Sequence, residues 1–127
     1  MLCLGPSAEI AVAQAVQALA AGCAAVVAAP SAEALAKPLV AADAPVAVRD
    51  GTIRPGVLRH SRGFAAVAAA GRSEWARELR LALAARPGAI VALETEVIAP
   101  VRYFVERHLC IDTTAAGGNA SLLASAN

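Results

Sequence analysis

Leu2-Cys3-Leu4-Gly5-Pro6-Ser7 opens the chain, and Gly22-Cys23-Ala24-Ala25-Val26-Val27-Ala28-Ala29-Pro30 follows one helix-length later. The first run is apolar and stops at Gly-Pro, which marks a short strand and its turn. Ser7 is suited to cap a helix, and Glu9 in the first turn is favoured by the helix dipole. That helix should run to about Ala21 and stop at Gly22. Val12, Val16, Leu19 and Ala20 share one of its faces, and Gln14, Gln17 and Ala21 share another. Cys23 to Ala29 is then an unbroken apolar strand, closed by Pro30. Unbroken apolar strands belong to parallel sheets covered on both faces.

The same alternation continues outward from this unit. Ser31 is placed to cap a second helix, with Glu33 in its first turn. Pro38 should break or kink that helix, because its ring removes a backbone donor and crowds the preceding turn. Pro45 to Val48 reads as a third strand, residues 49 to 62 as a surface connection, and Phe64 to Ala70 as a fourth strand. Gly71 is a turn and Ser73 a cap. The helix that follows is amphipathic, with Trp75, Leu79, Ala82 and Leu83 inside and Arg77 and Arg80 outside. Pro87-Gly88 ends it, and Ala89 to Leu93 is a fifth strand. Strands alternating with helices predict an α/β domain, a Rossmann-like parallel sheet of about five strands with flanking helices and right-handed crossovers. It should occupy residues 1–100. Residues 101–127 differ. Arg102 to Thr113 reads as an extended β-flap, and a small-residue tail follows it. Such a strand has unpaired backbone groups and needs a neighbour.

Composition bounds the function. The 127 residues suffice for one core. Hydrophobic residues make up 58% but aromatics only 3%, so the core must be built from Ala, Val, Leu and Ile. Net charge is +1, and basic residues do not cluster on one face, which argues against nucleic acid. Cys3, Cys23 and Cys110 form no CxxC, and His60 and His108 lack zinc spacing from them. They read as reduced thiols of a cytoplasmic protein, with no metal. The N-terminus lacks the basic region of a secretory leader. The apolar stretch from Ala8 to Val27 is interrupted by Gln14, Gln17 and Gly22, so it is not expected to span a membrane.

Chemistry-bearing motifs are sparse. A dinucleotide site needs GxGxxG at the first strand-to-helix turn, so that backbone can approach the pyrophosphate. Gly5-Pro6-Ser7 lacks that spacing, as does Ala29-Pro30-Ser31. Ala69-Ala70-Gly71-Arg72-Ser73, its helix, and Arg86-Pro87-Gly88-Ala89-Ile90-Val91-Ala92-Leu93-Glu94-Thr95-Glu96 resemble the cofactor half of aldehyde dehydrogenases. In that family a Thr-Gly-Ser turn precedes the helix, and the next strand leads to a general-base glutamate followed by glycines. Glu96 sits near that position, but Val97-Ile98-Ala99-Pro100 follows it. The family's nucleophile loop has no counterpart, and the neighbours of Cys110 do not resemble it. Acyl transfer needs a thiolate, an oxyanion donor and a base around one carbonyl. Accordingly no catalytic and no cofactor-binding residue is assigned. By itself, Glu96 is a solvated strand-end carboxylate.

The most specific run is Val105-Glu106-Arg107-His108-Leu109-Cys110-Ile111-Asp112-Thr113-Thr114-Ala115-Ala116-Gly117-Gly118-Asn119-Ala120-Ser121-Leu122-Leu123. It resembles the C-terminal motif of the proline utilization A family. These bifunctional bacterial enzymes join an FAD-dependent proline dehydrogenase to an NAD-dependent glutamate semialdehyde dehydrogenase. Longer members carry an inactive, dehydrogenase-like C-terminal domain, and the upstream α/β pattern fits it. The resemblance implies a non-catalytic chain that covers an internal substrate-channelling passage and supports the dehydrogenase. FAD and NAD would belong to the parent protein. The parent would be cytoplasmic, or peripheral at the inner membrane.

The implied partners are the other domains of the parent, chiefly its dehydrogenase, or a second copy through residues 101–127. Thr113, Thr114, Gly117, Gly118, Asn119, Ser121, Leu122 and Leu123 would form the interface motif. The glycines permit close backbone approach, the polar groups pair exposed backbone, and the leucines anchor in an apolar groove. The alternative is a degenerate NAD-binding module with a phosphate turn at Gly71-Arg72-Ser73. A fragment of an active aldehyde dehydrogenase is a third option, disfavoured by the missing nucleophile loop.

Overall fold

The computed structural model describes residues 1–71 and 73–104. Five strands form one all-parallel sheet in the order β3-β2-β1-β4-β5. They are β1 (Leu2–Cys3), β2 (Ala25–Ala29), β3 (Val46–Asp50), β4 (Ala66–Ala68) and β5 (Ala92–Glu94). The helices are α1 (Ala8–Ala20), α2 (Ala32–Leu35), α3 (Lys37–Ala41) and α4 (Glu74–Ala84). This is the expected α/β, Rossmann-like parallel architecture. The order reverses beside β1, which creates a topological switch point between β1 and β4. Among the described residues no helix is long and apolar enough to cross a membrane.

Local chemistry sets the helix ends as the sequence suggests. Ser7 Oγ accepts from the Ile10 amide, and Ser73 Oγ accepts from the Ala76 amide at 3.3 Å. The Ser7 hydroxyl also holds the Glu9 carboxyl below its ordinary range, and Arg77 does the same for Glu74. At the far end of α1, Gly22 adopts φ 78°. Its amide donates to Leu19 O, and the Cys23 amide donates to Ala18 O. That double closure satisfies the last carbonyls of the helix. Pro38 acts as expected: the helical stretch divides at Ala36 into α2 and α3.

Two packed layers sandwich the sheet. On one face Cys3, Val27, Ala29 and Ala68 meet Ala8, Ala11, Ala15 and Ala18 of α1. On the other, Leu2, Leu4, Val67 and Ala69 meet Leu79 and Leu83 of α4, together with Leu58. α1 lies close because its inner face is alanine. A Cβ on Gly5 would fall 2.4 Å from the Ala11 backbone nitrogen, so only glycine fits that crossing.

The structure departs from the sequence reading at several points. Gln14 is fully buried on the α1 face made of alanines, whereas Val16 is 46% exposed. The alanine stripe wins because it gives the closer helix–sheet approach. Ser31 has φ 60° and its side chain caps nothing. Instead the Glu33 amide donates to Asp50 Oδ1 at 2.8 Å, and the Asp50 amide donates to Glu33 Oε1. A partner from β3 thus replaces the local cap. The 49–62 connection is not wholly superficial. β3 extends through Asp50, a 3-10 turn spans Pro55–Arg59, and Leu58 enters the core.

The fourth and fifth strands are shorter than read, and β5 starts later, leaving Ile90 98% exposed. Arg102 and Tyr103 are not extended. They belong to a 3-10 turn, Pro100–Tyr103, that drops the Tyr103 ring into the α1-side core. Proline at the first helical position favours that turn, and burial of the ring stabilises it. Phe104 has an extended backbone, and from residue 105 onward the expected β-flap and the whole tail lie outside the described residues.

Candidate functional site

Ligands of open parallel sheets bind beyond the carboxyl ends of the strands, at the switch point. Here that place is a cavity of about 360 Å³. Leu4, Gly5 and Pro6 from the end of β1 form part of it. Ala28 of β2, Ile53 and Arg54 of the following connection, and Ser73 and Trp75 at the start of α4 complete most of the lining. A second cavity of about 410 Å³ adjoins it and shares Thr52, Ile53 and Arg54 as a common wall.

Among the described residues, both turns at the switch point commit several of their groups to internal packing. Gly5 is occupied by the approach of α1, and Pro6 has no amide hydrogen. Ser7 Oγ accepts from the Ile10 amide, and its hydroxyl hydrogen bonds to the Glu9 carboxyl. At the second turn Gly71 takes φ 103°, and its amide donates to Thr95 O at 2.8 Å. Ser73 caps α4. Arg72, the middle residue of the Gly71-Arg72-Ser73 turn, lies outside the described residues.

Cys3 points into the α1-side core, and burial pushes its thiol up to about 12, partly offset by the positive N-terminus. A thiol so protonated is no nucleophile at neutral pH. Glu96 is exposed after β5. Its amide donates to Glu94 Oε1 at 2.8 Å, and its carbonyl accepts from Gln14 Nε2 at 3.3 Å. Among the described residues no group of three or more His, Cys, Asp and Glu side chains could hold a metal ion. The expected interface residues, Thr113, Thr114, Gly117, Gly118, Asn119, Ser121, Leu122 and Leu123, lie outside the described residues, as do His108 and Cys110.

Two side-chain tethers are not visible as motifs in the sequence. Arg86, named in the sequence only as the first residue of the run into β5, donates through one terminal nitrogen to the carbonyls of Leu58 and Ser61. Its guanidinium stands 4.7 Å from the centre of the Phe64 ring. It therefore ties the 58–64 wall of the larger cavity to the end of α4. Gln17 is the other. Its amide donates to Val97 O and accepts from the Ala99 amide, both at 2.8 Å, which holds the segment after β5 against α1. No family model, no curated protein and no solved structure matches this chain.

Proposed function

We propose that this chain is the non-catalytic C-terminal domain of a bifunctional proline-catabolic enzyme of the proline utilization A type. Its role there is to cover the internal passage that carries the intermediate and to support the dehydrogenase domain. The observation that most supports a silent role is the use of the switch-point turns for internal packing. Gly5 accommodates α1, Pro6 supplies no donor, and the Gly71 amide is engaged by Thr95. The C-terminal run from Val105 to Leu123 supports the family assignment. FAD and NAD would be held by the parent's other domains, and the motif from Thr113 to Leu123 would meet its dehydrogenase.

The reading frame preceding Met1 tests the assignment. It should encode a flavin-binding barrel and a dehydrogenase with its nucleophilic cysteine. A stop codon in frame directly before Met1 would count decisively against it. A second reading, a degenerate NAD-binding module, is favoured by the open cavity at the switch point with Arg54 on its rim. Isothermal calorimetry of the chain with NAD separates the two: the silent domain gives no binding heat.

A further inference from the structure

The sheet face that carries α4 is covered unevenly. α4 and Leu58 pack over β1 and β4. β2 is an interior strand, yet Val26 on this face is 44% exposed, and Ala47 of β3 is exposed too. Interior strands of parallel sheets are normally buried on both sides. Here a loop with one 3-10 turn, rather than a full helix, connects β3 to β4; Leu58 of that turn packs into the core, but Val26 is left partly open. The two cavities fill the gap.

Their floors follow the strands in order. Leu2 pairs in register with Val26, and both line the larger cavity. Leu4 and Ala28, two residues further along the same strands, line the smaller one. Two residues of strand advance by roughly 6.6 Å. The result is a groove along β1 and β2 toward the switch point, in which Val26 presents most of the open strand surface while Leu2, Leu4 and Ala28 are almost buried at its base. Val57 and Phe64 add apolar surface at one end, and Trp75 does so at the other.

Charge on the walls has one sign. Arg54 borders both cavities and Arg62 the larger. No Asp or Glu lines either cavity among the described residues, and Arg54 forms no ion pair there. An apolar floor with guanidinium on the rim suits an occupant with a hydrocarbon body and one negative end. The two cavities succeed one another along the strands, an arrangement that suits an extended chain better than a compact ring system.

We propose that this groove along β1 and β2 binds a medium-chain alkanoate, its chain over Val26 and against Ile53, Val57 and Phe64, and its carboxylate on Arg54. The site goes beyond the enclosing role proposed above and stands whether or not that role does.

Trp75 is the single tryptophan of the chain and lines the groove, so its emission reports occupancy directly. Titrating the full chain with sodium octanoate should give a saturable change in Trp75 emission, in the millimolar range or tighter. Octanamide, of matching length without charge, should bind about tenfold more weakly or worse. Arg54→Ala should weaken octanoate by about the same factor, since it removes the charge-assisted hydrogen bond. Arg59→Ala, which touches neither cavity, should leave it unchanged. Val26→Gln should weaken both ligands, because it interrupts the apolar floor; its circular dichroism should match the parent. The proposal is overturned by a linear, non-saturating response to octanoate, or by equal binding of octanamide. Indistinguishable Arg54→Ala and Arg59→Ala variants would overturn it as well. So would saturable binding of ADP with none of octanoate, which would make the groove a nucleotide site.

Discussion

Replacing Gly5 by alanine tests whether the approach of α1 to β1 governs this fold. The added methyl carbon would sit 2.4 Å from Ala11 N, 2.8 Å from Ile10 C and 2.9 Å from Ala11 Cα. All three are backbone atoms, so no rotamer change relieves the contact. Ordinary contact begins near 3.4 Å, so α1 must retreat by about 1 Å. That retreat loosens Ala11, Ala15 and Ala18 together, because each is fully buried against the sheet. Overpacking of this kind costs about 1–3 kcal/mol, and a rigid backbone neighbour places it toward the upper end.

Urea unfolding followed by Trp75 emission should show a lower midpoint with an unchanged slope. The melting temperature should fall by about 10–20 °C for a domain of this size. Gly56→Ala is the matched control. Its Cβ would meet nothing within 4 Å and its φ is not in the left-handed region, so its stability should change by less than about 1 kcal/mol. A Gly5→Ala protein as stable as Gly56→Ala would refute the claim that close packing of α1 is what requires glycine there.

Other perturbations probe other joints. Arg86→Ala should cost about 1–3 kcal/mol in urea unfolding, because the Leu58 and Ser61 carbonyls lose a charged donor; Arg86→Lys should recover only part, since an ammonium lacks the planar fork. Gln17→Ala should cost about 1–2 kcal/mol, and amide exchange should accelerate at Ala99, whose hydrogen bond to Gln17 Oε1 is removed; unchanged exchange there would rule out the tether. Burial raises Cys3 from 9.0 and Tyr103 from 10.0, both to about 12. In the unfolded chain these groups ionise first. The stability they contribute is therefore complete below about pH 9 and is lost as pH rises toward 12. The Cys3 share is of order 4 kcal/mol, and Cys3→Ala should flatten the alkaline limb of stability measured by urea unfolding at each pH.

Much of the chain was legible from local chemistry. A capping serine marked the starts of α1 and α4, because a hydroxyl can satisfy an orphan amide without help from elsewhere. Gly22 and Pro38 marked an end and a break for equally local reasons, a left-handed φ and a missing donor. Unbroken apolar runs around Val26 and Val67 identified parallel strands. The contrast between Leu79 and Arg80 oriented α4. The same logic failed at Ser31, where Asp50 from another strand supplied the partner for the Glu33 amide. It failed again at Arg102 and Tyr103, whose local pattern looked extended until the core claimed the ring.

The amino-acid sequence by itself determined the alternation of strands and helices, the turn chemistry and the absence of a glycine-rich phosphate loop at the first turn. Each follows from interactions among residues within a few positions of one another. Tertiary structure alone decided which face of α1 is buried, because alanine carries too little contrast to orient a helix. It alone also drew Arg86 onto the 58–64 wall and opened the groove over Val26. Those outcomes depend on how closely distant segments can approach, and Gly5 beneath Ala11 sets that distance for α1.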